Sequence, residues 1–345
     1  MQISDFDYEL PEELIAQHPL PERDASRMLI VSRSSQSWTD SHFKTLPAQL
    51  TGQDVLVFNN TRVFPARLNG RRVPSGGSVE LLLLREVEDN IWEALTRPGR
   101  RLRIGSEIEF EDAGLRARVI GSQQNGIRTI KFRSAERLED LIDRIGEPPL
   151  PPYIKRQAGE SKRDADRYQT IYANQRGSIA APTAGLHFTS TIFKQLAEKG
   201  VRLVELTLHV GYGTFEPIRV QNVLEHRVAA EWFSISEEVA GTINEARKAG
   251  GRVVAVGTTT ARALESAAAT DGRVNPQSGF AALTIFPGYN FQIVDALLTN
   301  FHLPRSSLLV LVCAFAGKEF MLEAYRHAVQ ARYRVYSYGD CMLIL

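Results

Sequence analysis

The stretch "TLHVGYGTFEP", residues 207–217, decides how the second half of the chain is read. An apolar strand running into Gly211 and Gly213 suits backbone that passes close to a ligand. A dinucleotide-binding loop would need a third glycine three places further on, with a helix opening there. Glu216 holds that place, Pro217 follows, and "IRVQNVLEH" lacks the 3.6-residue apolar period of a helix. The stretch therefore reads as a strand ending in a ligand-lining turn, not as the first crossover of a Rossmann fold.

Around it, helices and strands alternate. Thr189 or Ser190 can cap "TIFKQLAEK" before Gly200, and Ser236 can cap "EEVAGTINEARKA" before Gly250. A strand "RVVAVG", a helix "TTTARALESAAA", an apolar run from Leu308, an amphipathic "EFMLEAYRHAVQARY" and a terminal "VYSYGDCMLIL" follow. Upstream, "DVLVFN" is a buried strand, and "PEELIAQ" reads as a helix start. The middle has another texture: "VELLLL", "IWEALT", "LRARVI" and "IRTIKF" are short strands separated by turn residues, then a helical "LEDLIDRI" and the proline-rich "GEPPLPPYIKR". The expectation is an α/β main domain with a mixed, barrel-like sheet over residues 1–62 and 153–345. A small antiparallel β-barrel domain is inserted at 63–152. Three consecutive units are the rival arrangement.

Lys plus Arg (41) balances Asp plus Glu (40), so a nucleic-acid partner would have to be met by a local patch. Cys313 and Cys341 offer neither a disulfide framework nor zinc spacing, and a reducing cytosol fits them. The N-terminus is acidic where a signal peptide is basic, and no apolar run approaches the ~20 residues of a membrane helix. A cytoplasmic protein without a membrane partner is expected.

Three histidines sit beside Gly or Pro turns: His187 in "APTAGLHFT", His209 in "TLHVGYGTF" and His302 in "TNFHLPRSS". Imidazole titrates near neutrality and can carry a proton during turnover, although each ring is equally readable as a core histidine. Their spacing matches no helical zinc motif, and no metal is expected. In "VGTTTARALES", Thr258, Thr259 and Thr260 open a helix whose free N–H groups suit an anion, with Arg262 and Glu265 one turn in. A plain helix start with a surface ion pair explains that spacing equally well. Arg97, Arg100, Arg101 and Arg103 cluster in "RPGRRLR" and suit phosphates.

Ten blocks, among them "VFNNTRVFPARL", "GEPPLPPYI", "GSIAAPTAGLHFT", "TLHVGYGTFEPIR", "VGTTTARALES", "FPGYNFQIVDALLTNFHLP" and "YRVYSYGDCMLI", closely resemble, in order, the S-adenosylmethionine:tRNA ribosyltransferase-isomerases of queuosine synthesis. The resemblance is nearly end to end. It departs at "EHRVAAEW", where Val228 and Ala229 stand for a usual histidine and methionine while His226 and Glu231 remain. Thr260, Ala261 and Cys313 likewise stand for a usual serine, valine and serine.

The resemblance implies transfer of the ribosyl part of S-adenosylmethionine to the aminomethyl group of a 7-deazaguanine at the tRNA wobble position. S-adenosylmethionine is then a consumed substrate, no cofactor is needed, and a monomer is expected. His187, His209, His302 and Glu231 become candidates for the proton-transfer steps. Thr258, Thr259, Thr260 and Arg262 would hold the methionine carboxylate, and Asn59, Asn60 and Arg62 a base or ribose edge. Gly185, Gly211 and Gly213 would let backbone approach the ligand, and Phe188, Tyr212, Phe215 and Tyr289 would offer rings for stacking. Thr183, Thr214 and Asn300 complete the expected substrate site. Arg97, Arg100, Arg101 and Arg103 are the expected tRNA contacts.

Overall fold

A strand that is apolar at every position must be covered on both faces, and this chain has several such strands. The computed structural model describes residues 1–345 apart from 100–101, 111–112, 124–125, 157–163 and 216–217, and apart from the side chains of 214 and 215. In chain order its strands are β1 (Arg27–Ser32), β2 (Ser37–His42), β3 (Val55–Asn59) and β4 (Thr61–Val63). Then come β5 (Arg67–Val73), β6 (Ser78–Glu88), β7 (Ile91–Arg97), β8 (Glu107–Phe110), β9 (Leu115–Ser122) and β10 (Ile127–Arg133). The last group is β11 (Gln175–Ser178), β12 (Arg202–Leu208), β13 (Glu231–Ile235), β14 (Val253–Val256), β15 (Gln277–Ala281), β16 (Ala296–Asn300) and β17 (Cys341–Ile344). The helices are α1 (Leu46–Gln49), α2 (Leu138–Ile145), α3 (Ser190–Glu198), α4 (Glu237–Lys248), α5 (Thr258–Ser266), α6 (Ser307–Ala316) and α7 (Lys318–Gln330).

Nine strands form one mixed sheet in the order β15-β13-β12-β3-β14-β16-β17-β1-β2. The wholly buried β3, β14, β16 and β17 lie inside it, and the polar β2 forms an edge. β12, β3, β14 and β16 run parallel, so their carboxyl ends share one rim. β17 enters antiparallel to β16 and parallel to β1. Residues from α4, α5, α6 and α7 cover one face, and α3 with Phe43 and Leu46 covers the other. Thr189 caps α3 and Ser236 caps α4, each side-chain oxygen accepting a backbone N–H at 3.3 Å.

The middle segment closes on itself. β10-β7-β6-β5-β8-β9 form a barrel sealed by the β9–β10 pairing. Its strands alternate inward and outward as a one-sided sheet requires; β9 does so over six residues. Leu138, Leu141 and Ile142 of α2 join the barrel core, as does Ile179 just past β11. One local expectation fails: "PEELIAQ" makes a 3-10 turn, Glu12–Leu14, and stops because Ile15 leaves it to bridge Val335.

Candidate active site at the carboxyl ends of the central strands

Open α/β sheets collect ligands beyond the carboxyl ends of their parallel strands. Here a narrow cavity of about 40 Å³ lies at that rim, lined by Thr183, Val210, Gly257, Thr258, Thr259, Thr299, Asn300, His302, Tyr153, Tyr336 and Ser337. Gly257 enters α5 with φ +94°, a backbone state that favours glycine, and no side chain among the described residues caps the helix. The first N–H groups of α5 are therefore left for another partner, and Thr258 and Thr259 stand beside them. Thr260 differs: it is wholly buried and donates its hydroxyl proton to the Val256 carbonyl at 2.7 Å.

Asn300 lines this cavity. Its amide nitrogen donates to the Tyr336 carbonyl at 2.9 Å, which fixes its orientation and leaves the buried Oδ1 facing His187 with no close hydrogen-bond partner among the described residues. His187 lies behind it. Its Nδ1 is 2.8 Å from the Ser26 hydroxyl, its buried Nε2 has no close hydrogen-bond partner among the described residues, and the Asn300 side chain favours its protonated form. Burial still dominates and pushes the His187 pKa down to about 4. His302 lines the cavity itself, with Nε2 2.9 Å from Thr299 Oγ1, and burial lowers its pKa to about 3. Both rings are neutral at pH 7, the form in which imidazole accepts a proton.

His209 does not join them. Its Nδ1 meets Thr61 Oγ1 at 2.8 Å and its ring stacks on Trp232, with centroids 5.1 Å apart. Of the three imidazoles expected to serve proton transfer, one thus lies in the cavity wall, one behind Asn300, and one elsewhere.

A second hollow, about 20 Å³, shares Leu308 with the first and is lined by Gly213, Val228, Ala229, Glu231 and Arg262. Arg262 is buried and already occupied. It meets Glu231 Oε2 at 2.8 Å and donates to the carbonyls of Leu283 at 3.1 Å and Ala281 at 3.0 Å. The other Glu231 oxygen accepts the Gly211 N–H at 2.8 Å. Arg262 and Glu265 form no surface pair, because Glu265 is buried and accepts from the backbone of Gln292, Ile293 and Val294. Arg262 therefore braces the site floor instead of reaching past the start of α5 toward a carboxylate.

This geometry coincides with a match of residues 3–344 to the family of queuosine biosynthesis proteins. The chain belongs to that family. It is also similar to the S-adenosylmethionine tRNA ribosyltransferase of Thermotoga maritima, known from a crystal structure at 2.00 Å. The two are 38% identical over 99% of this chain and 100% of that one, with a TM-score of 0.56.

In this queuosine biosynthesis protein several expected contacts are structural. Asn59 is fully buried and spends its amide on the backbone of Leu208 and Thr61. Asn60 bonds Thr207 and Glu205, and Arg62 is exposed on β4. Phe188 offers no stacking face, because it is buried among Phe43, Phe58 and Phe193. Gly185 is small for packing: a Cβ there would run into Tyr172 and Thr170. At Gly213 it would come within 3.0 Å of Ala229, whereas at Gly211 it would meet nothing closer than 3.8 Å. Tyr289 bonds Glu265 at 3.1 Å, toward the far end of α5 from Thr258. Thr214 and Phe215 lie in a 3-10 turn whose side chains are outside the described set.

Tyr212 and Arg97 line a much larger groove, about 800 Å³, between the barrel and the proline-rich segment. Arg67, Lys155 and Arg156 add positive charge to it, and Glu80 and Glu147 add negative charge. Arg103 is exposed outside its lining, and Arg100 and Arg101 lie outside the described residues. The sequence reading passed over Ser26, Tyr153, Thr299, Tyr336 and Ser337. Thr299 was within reach, because it immediately precedes a singled-out asparagine and lies three residues before a singled-out histidine.

Proposed function

We propose that the protein moves the ribosyl part of S-adenosylmethionine onto the 7-aminomethyl group of 7-deazaguanine at the tRNA wobble position. It isomerises that part and leaves epoxyqueuosine in tRNA, with adenine and methionine released. The observation that carries this is family membership over residues 3–344 joined to a cavity at the sheet rim that holds an uncapped helix start and a neutral histidine.

The chemistry assigns work to that rim. A sulfonium acidifies the adjoining ribose carbon, and a positioned base must take the proton. His302 is that acceptor in this reading, because it is the candidate ring that lines the cavity. Thr258, Thr259 and the first N–H groups of α5 take the methionine carboxylate, while Asn300 Oδ1 accepts from a donor of the substrate. His187 and the Glu231–Arg262 pair act through Asn300 and Gly211, as positioning residues.

The tRNA lies along the large groove, with Arg97 toward phosphates and Tyr212 toward a base. The wobble base is single-stranded in the anticodon loop and is extruded to reach the cavity. Residues 63–152 act as the tRNA-holding insert and residues 1–62 and 153–345 as the catalytic unit. That unit works as a cytoplasmic monomer, with S-adenosylmethionine consumed and no cofactor. Among the described residues no helix is long and apolar enough to cross a membrane.

The test supplies S-adenosylmethionine and tRNA bearing the aminomethyl-deazaguanine and measures released adenine. Stoichiometric adenine supports the reading. Binding without adenine supports a tRNA-binding relative, which Val228 and Ala229 favour because both line the hollow beside Glu231.

A further inference from the structure

The sheet carries an aromatic row that the site described above does not use. Trp232 on β13 and Phe280 on β15 are register partners, so their side chains leave the same face of the sheet. They are 37% and 61% exposed, although rings of this size are usually covered. The row continues inward. The His209 N–H donates to the Trp232 carbonyl at 2.9 Å, and the His209 ring stacks on the indole at an interplanar angle of 22°. Behind His209 comes Gly177, where a Cβ would stand 2.6 Å from Nε2, so the absence of a side chain lets the imidazole lie flat there.

Three features say what covers this row. It ends near the large groove along the chain: Gly177 and His209 close it, and Ile179 and Tyr212, two and three residues further on, line the groove. Its surroundings are polar, with Ser234 and Ser278 paired at 2.6 Å two register positions along, on the same face. A cation stands near its inner end, since the exposed Arg62 follows the Thr61 that meets His209; its register partner Arg176 is turned to Asp143 and the Phe64 ring. Two exposed rings among hydroxyls and an arginine are too little apolar area for a stable protein interface, but they suit bases, which present a π-face whatever their sequence.

We propose that Trp232 and Phe280, backed by His209, form a stacking platform for unpaired nucleotides of the tRNA next to the one being modified. The proposal rests on the tRNA reading given above and adds to it where the flanking bases lie. Neighbouring strands sit about 4.8 Å apart, so the rings can receive successive or splayed bases from one side.

The test measures tRNA affinity and kinetics for Trp232→Ala and Phe280→Ala in the full chain, across a range of salt concentrations. Stacking predicts a Kd for tRNA about tenfold weaker for Trp232→Ala and a smaller loss for Phe280→Ala. Because no phosphate contact is removed, the slope of log Kd against log salt stays that of the parent. The Michaelis constant for S-adenosylmethionine is the reference that general damage to the fold would also move. Trp232→Phe keeps a ring and recovers most of the affinity.

Unchanged tRNA affinity in both folded alanine variants overturns the proposal. So does a dimer in sedimentation that these variants dissociate without altering tRNA binding, because the row would then be covered by a second copy. If the parent protein neither binds the tRNA nor releases adenine, the functional reading itself has failed. Parent turnover with neutral platform variants removes the platform alone.

Discussion

The barrel and the nine-stranded sheet use the same ion-pair chemistry in opposite ways. On the barrel and its helix, Arg85 meets Glu93 and Arg144 meets Glu136, each at 3.0 Å, with the arginines largely in water. Under the sheet rim, Arg262 meets Glu231 at 2.8 Å with both side chains less than a tenth exposed. A solvated pair contributes little and rearranges readily, which suits a surface that follows a flexible polyanion. A buried pair is costly to assemble and costlier to break, so it holds whatever it touches in one place. Glu231 touches the Gly211 N–H, and so the pair fixes the turn at the end of β12.

The strongest way to break that contrast is Arg262→Ala. It strands the Glu231 charge and should cost about 3–5 kcal/mol in urea unfolding, whereas Arg144→Ala should cost less than about 1 kcal/mol. Equal losses would put both regions on the same footing. Next comes His302→Gln, which should lower kcat for adenine release by about 10³-fold while leaving tRNA affinity near that of the parent. A variant that still turns over within tenfold of the parent removes His302 as proton acceptor.

Acid should separate the regions too. His187 and His302 are held neutral by burial, with pKa values of about 4 and about 3 against an ordinary 6.5. The unfolded chain therefore binds more protons than the folded one between those values. Stability is full above pH 6.5 and falls as the pH drops toward 4, by roughly 3 kcal/mol for each imidazole. Unfolding followed from pH 7 to 4 should show this loss, and His187→Gln should remove about half of it; a flat profile contradicts the burial. The smallest expected effect is Arg97→Ala on the barrel rim. It should weaken tRNA binding by a few fold at most and flatten the salt slope by about one, and an unchanged slope would take Arg97 off the phosphate path.

Local order was legible in the sequence wherever local chemistry decides it. The caps at Thr189 and Ser236, the buried run of β3, the alternation of β9 and the change of texture near residue 63 all follow from neighbours along the chain. Gly257 before three threonines marked the helix start at the cavity for the same reason. Partners across the fold were hidden. Arg262 reads as half of a surface pair with Glu265 until Glu231, 31 residues away, claims its guanidinium. Phe188 reads as a ring near a ligand until three other aromatics enclose it. The exposure of Phe280 follows from strand register, which periodicity alone does not supply.

One detail of the sheet bears on how the protein is made. β17 is synthesised after every other strand of the sheet, yet it is inserted between β16 and β1 rather than added at a margin. On the ribosome the β1–β2 hairpin therefore waits without its inner neighbour, its apolar residues Leu29 and Val31 awaiting their place in the core, until nearly the whole chain has emerged. Translation and closure of this sheet are thus coupled by topology, because the innermost neighbour of β1 is the strand made latest.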